Sequence, residues 1–157
     1  MALDAFVYCD CFEKDQLRSS PPSGLELRVG ANGEVTCHGA TDQQWSIFCS
    51  WRHRKACPHV GMILKHHRLG TAKQIDALRD QLENKERARF PILINKILYT
   101  GTHTCDWVPL NALPELTEEL KQMNPPKTPE GDALRHLKIQ LAELIIAAQM
   151  VQKPICF

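Results

Sequence analysis

TPEGDALRHLKIQLAELIIAAQMVQK, Thr128 to Lys153, is the stretch whose reading decides the fold. Leu134, Leu137, Leu141, Leu144, Ile145, Ala148 and Val151 recur three and four positions apart, along one face of a helix. Thr128 starts it, and Pro129 sits at the first position, where a missing N–H costs nothing. Glu130 and Asp132 favour its positive end, and Pro154 cannot continue it. A helix of about 24 residues is about 36 Å long and spans a domain of this size. Its apolar stripe must be buried on a sheet or on other helices, so the rest of the chain has to supply that surface.

Leu113, Leu116 and Leu120 mark a preceding helix, stopped by Asn124-Pro125-Pro126. Before it lies FPILINKILYTGTHTCDW, Phe90 to Trp107, in which Ile92, Leu93, Ile94, Ile97, Leu98 and Tyr99 are core candidates. Pro91 suits a first helical turn, so Phe90–Asn95 reads as helical and Lys96–Tyr99 as a strand. Gly101 frees the backbone to turn into the polar cluster Thr102–Asp106. Thr71 caps a helix with Ile75, Leu78 and Leu82 on one face, running into the charged segment Glu83–Arg89. His59–His67 reads either as a short strand or as a helical turn, ended by Gly70.

A helix from Thr41 or Asp42 to about Arg54 carries Trp45, Phe48, Cys49 and Arg52 on one face. Trp51 is displaced from that face and is expected at the surface. Strand formers fill residues 3–9, LDAFVYC, a buried first strand. Residues 13–24 are a polar loop. Leu25–Val29 and Glu34–His38 alternate as two strands joined by the turn Ala31-Asn32-Gly33. The expected architecture is α+β: one domain over residues 1–157, a small antiparallel sheet covered by helices, with a long C-terminal helix.

The chain has 157 residues, 43% hydrophobic and 24% charged, and no apolar run approaches the about 20 residues that cross a bilayer. The N-terminus has no basic segment and carries Asp4 and Asp10, unlike a secretory signal, so the cytoplasm is the expected compartment. The net charge of +1 is unevenly spread. Between Asp42 and Asp76 there is no acidic residue, while Arg52, Arg54, Lys55, Lys65, Arg68 and Lys73 fall there with four histidines. With so little net charge, nucleic acid is a poor match. An acidic patch on a protein partner fits the basic residues as well as a plain solvated face does, with Trp51, Arg52, Arg54, Lys55, Lys65 and Arg68 as candidate contacts.

Seven cysteines and seven histidines make metal binding a further candidate. Three pairs share a two-residue spacing: Cys9-x-Cys11, Cys57-x-His59 and His103-x-Cys105. In extended chain, residues i and i+2 point the same way, so each pair offers two soft ligands to one side. Two such pairs together supply the four ligands of tetrahedral zinc. Alternatively Cys57 or Cys105 is a nucleophile activated by His59 or His103, which would make the chain a zinc-dependent or thiol enzyme. No G-x-S-x-G, phosphate-binding glycine loop or H-E-x-x-H supports a particular reaction.

The segments LDAFVYCDCFE, WRHRKACPH, HHRLG, RFPILINKILYTGTHTCD and KPICF together resemble a family of small, mostly uncharacterised bacterial proteins. In size and in lacking a catalytic signature the chain is similar in class to immunity proteins, which neutralise toxins delivered between bacteria. That resemblance implies a non-enzymatic protein-binding module that blocks a cognate toxin, and it assigns no catalytic residue.

Overall fold

The computed structural model describes residues 2–99, 101–103 and 106–157, with the side chains of 85–87 and 130 outside the description. Strand β1 (Ala2–Tyr8) is followed by the hairpin β2 (Glu26–Val29) and β3 (Val35–His38), then helix α1 (Asp42–Arg54). Strand β4 (Ile63–Thr71) leads directly into α2 (Ala72–Glu86). Next come β5 (Trp107–Val108), α3 (Leu113–Gln122), α4 (Asp132–Val151) and β6 (Ile155–Cys156). This is the α+β architecture expected, with the long helix at the C-terminal end.

The main sheet has the order β4-β1-β6-β5, with every pairing antiparallel. Hairpin β2–β3 forms its own two-stranded ribbon, with Val29 opposite Val35. Leu3, Ala5 and Val7 of β1 alternate into a large core with α2, α3 and α4. The α4 stripe is buried there as its spacing requires, from Leu134 to Ala148. Residues Phe6, Tyr8 and Cys156 take the opposite sheet face, where the Cys156 thiol donates to Asn32 O at 3.1 Å in the hairpin turn. A second, smaller core contains Cys9, Cys11, Val35, Phe48, Trp51, Ala56, Cys57 and Met62.

Four local readings are corrected. Lys96–Tyr99 is not a strand: Leu93–Ile97 is a π-helical turn closed by Leu98 N–H to Leu93 O at 2.7 Å. The buried Glu119 carboxylate holds the front of that segment by accepting the Ile92 and Leu93 amides, so the backbone stays helical. His59–His67 divides into a 3₁₀ turn at Val60–Met62 and a strand that continues through Gly70 to Thr71. Trp45 lies 47% exposed rather than on the buried face of α1, and Trp51 is only 5% exposed rather than at the surface. Loop 13–24 returns over α1 and offers Ser19 O and Oγ to the Trp51 indole N–H, at 3.2 and 3.0 Å, so α1 turns that ring inward.

Candidate metal centre

Cys9 and Cys11 lie where β1 runs out of partners. The Cys9 N–H still donates to Met62 O at 2.8 Å. The chain then curls, with Lys14 N–H to Asp10 O at 3.0 Å and Gln16 N–H to Cys11 O at 2.8 Å. Cys57 and His59 occupy the reversal between α1 and β4. Ala56 N–H closes the end of α1 on Trp51 O at 2.9 Å, and Met62 N–H closes the next turn on His59 O at 2.9 Å. That turn needs positive φ at Gly61 (64°) and Met62 (59°). Gly61 adopts it freely, whereas Met62 does so under steric cost.

These two reversals bring four ligand atoms, from Cys9, Cys11, Cys57 and His59, within 4.8 Å of one another. Cys9 Sγ is 3.6 Å from Cys57 Sγ, Cys11 Sγ is 3.4 Å from His59 Nδ1, and Cys57 Sγ is 3.8 Å from the same nitrogen. A zinc tetrahedron with ordinary bond lengths has edges of about 3.8 Å between sulfurs and about 3.5 Å from sulfur to nitrogen. Three of the six edges therefore lie near these lengths, and the others do not exceed 4.8 Å.

Burial pushes the Cys9 thiol well above the usual thiol range and pushes the Cys11 thiol up as well. The three cysteines are buried in the smaller core, with Phe48, Trp51, Ala56 and Met62, and His59 is half-buried. Thiolates are costly in such surroundings unless a cation accompanies them, and a coordinated metal reverses the preference by binding the deprotonated form.

Of the six expected ligands, four are brought together. His103 is placed elsewhere: its ring lies 4.1 Å from that of Tyr99, with Nε2 3.3 Å from Tyr99 O. Cys105 lies outside the described residues. The candidate basic contacts also divide. Arg52 pairs with Glu34, donates to Val35 O at 3.2 Å and sits over the Phe48 ring, so it ties α1 to the hairpin. Lys65 is paired with Glu143 of α4 at 2.5 Å. Arg54, Lys55 and Arg68 are exposed.

Sequence reasoning missed Lys153. It is 4% exposed, and its ammonium reaches Cys9 O at 2.6 Å, Gly33 O at 2.9 Å and Glu13 Oε1 at 2.6 Å. Nothing in the local sequence marks it, because a lysine at the end of a helix is ordinarily solvated.

No helix among the described residues is long and apolar enough to cross a membrane. Comparison with known proteins returns no matching family model, no matching curated protein and no matching solved structure.

Proposed function

We propose that the chain is a small protein-binding module organised by one zinc ion held by Cys9, Cys11, Cys57 and His59. The observation that carries this is the convergence of two pairs, 48 residues apart, into a cluster of four soft ligands within 4.8 Å. Three sulfurs and an imidazole suit zinc and do not suit the oxygen-seeking calcium or magnesium. Four protein ligands complete a tetrahedron and leave no position for water, the pattern of a structural rather than a catalytic ion. The same geometry weighs against a thiol enzyme, since the three cysteines are buried in the smaller core rather than presented to a substrate. Unlinked cysteines that serve as ligands fit a reducing cytoplasm.

The partner surface that fits this module is the face of α1 on which the exposed Ile47 lies about two turns before the exposed Arg54, with Lys55 next to it. Arginine is a common anchor of protein interfaces. The charge there favours an acidic partner, and neutralising a cognate toxin by occlusion is the reading carried by the resemblance to immunity proteins.

The metal reading is tested by elemental analysis of protein purified without a histidine tag or chelator. About one equivalent of zinc per chain is expected, lost on replacing Cys57 by Ser. Folded wild-type protein that takes up less than about a tenth of an equivalent, even after dialysis against zinc, would overturn it.

A further inference from the structure

Lys153 is placed by three independent constraints. Gln152 caps α4 in the left-handed conformation at φ 53°, and Lys153 N–H closes the helix on Ala148 O at 3.0 Å. Pro154 follows, and Ile155–Cys156 is already fixed in the main sheet beside β1. The backbone on both sides of the lysine is therefore set by the larger core. Its side chain crosses to the smaller one. There it passes so close to the hairpin turn that a Cβ on Gly33 would lie 2.9 Å from Lys153 Cδ. Gly33 also has φ +82°, so both crowding and backbone geometry call for glycine there.

At its end the ammonium has three donors and three acceptors: Cys9 O, Gly33 O and the Glu13 carboxylate. A buried ammonium is tolerated only when so paired. The consequence falls on Cys9. Its N–H is held by Met62 O, one turn from His59, and its C=O is held by Lys153 Nζ. Both peptide groups flanking the Cys9 Cα are thus clamped, which fixes the direction from which its Sγ enters the ligand cluster.

We propose that Lys153 is a positioning residue for the metal site, orienting Cys9 from the end of α4 so that zinc affinity depends on the C-terminal helix. This rests on the zinc reading above. Outer partners that orient metal ligands commonly matter by about tenfold to a hundredfold in affinity. A merely structural lysine would lower the stability of zinc-free and zinc-loaded protein alike, and would leave the stabilisation gained on adding zinc unchanged.

The experiment compares wild type, Lys153→Met and Gly33→Ala, the last keeping the lysine but crowding its path. Zinc dissociation constants come from chelator competition, and melting temperatures are taken with and without zinc. The cobalt-substituted proteins are compared by visible absorption, which reports tetrahedral geometry. Expected for Lys153→Met are one equivalent of zinc, affinity weaker by about tenfold or more, a smaller zinc-induced rise in melting temperature and an altered cobalt spectrum. Should Lys153→Met not fold, the same changes in Gly33→Ala carry the test. Zinc affinity within about twofold of wild type in the folded variants overturns the role of Lys153 while leaving the zinc site standing. Wild-type protein that binds no zinc overturns both.

Discussion

Glu119 brings a carboxylate into the larger core at 3% exposure, and its two oxygens accept the Ile92 amide at 2.7 Å and the Leu93 amide at 2.9 Å. It is the acceptor that a helix start otherwise lacks. Burial pushes its pKa up, and the two amide hydrogen bonds oppose that without cancelling it. A carboxyl whose folded value lies above its unfolded one contributes stability that is full below the unfolded pKa and lost as pH rises through the folded pKa. Gln at this position imitates the protonated carboxyl and does not titrate. Glu119→Gln should therefore gain stability relative to wild type between about pH 4 and about pH 7, measured by urea denaturation at both. A stability difference that stays constant, or moves towards wild type, would show that the carboxylate is not penalised by its burial.

The last strand is only two residues long, yet β6 is an inner strand, with β1 on one side and β5 on the other. Ile155 is 0% and Cys156 is 3% exposed. Pro154 ends α4 and turns the chain back through the sheet, so the tail locks β1 to the segment before α3. Removing residues 155–157 deletes two buried side chains and takes away the strand with which β5 pairs. At about 1.5–3 kcal/mol for each fully buried aliphatic side chain, the truncated chain should lose several times what a surface change costs. Chemical denaturation measures this directly. A loss below about 1 kcal/mol would mean that the tail rests on the sheet without contributing to it.

At the scale of the molecule, two cores meet at β1: its inward residues belong to the larger, and Cys9, just past its end, to the smaller. Among the described residues the smaller core has eight that are buried, three of them the cysteines of the candidate ligand cluster. A core that small gains much from a metal crosslink. The uneven charge written in the sequence is reduced by folding, because Arg52 and Lys65 are used internally against Glu34 and Glu143. Arg54 and Lys55 at the end of α1 stay exposed. Reversing both to Glu should slow association with an acidic partner, as added salt should for wild type, because rim charges act mainly on the on-rate. Stability should move by no more than about 1 kcal/mol. Surface plasmon resonance at two salt concentrations decides it: an on-rate unchanged by the double reversal would place the docking surface elsewhere.

The sequence by itself determined the elements whose periodicity is strong and local. The α4 stripe, the Leu113, Leu116 and Leu120 face of α3, the turn at Asn32-Gly33 and the α+β class all follow from spacing and turn chemistry. It also supplied the ligand pairs through their two-residue spacing, although both converging pairs lie in chain reversals rather than in extended chain. Which pairs would meet was decided by the tertiary structure, because β1 and β4 must pair before Cys9 and Cys57 can approach. The rotation of α1, with Trp51 inward and Trp45 outward, depended on loop 13–24 coming back with Ser19. The helical turn after Pro91 depended on a carboxylate 27 residues away. The burial of Lys153 depended on three carbonyl and carboxylate oxygens from segments 120 or more residues earlier in the chain. Apolar spacing is a property of neighbours along the chain, whereas partners for buried polar groups come from wherever folding brings the backbone.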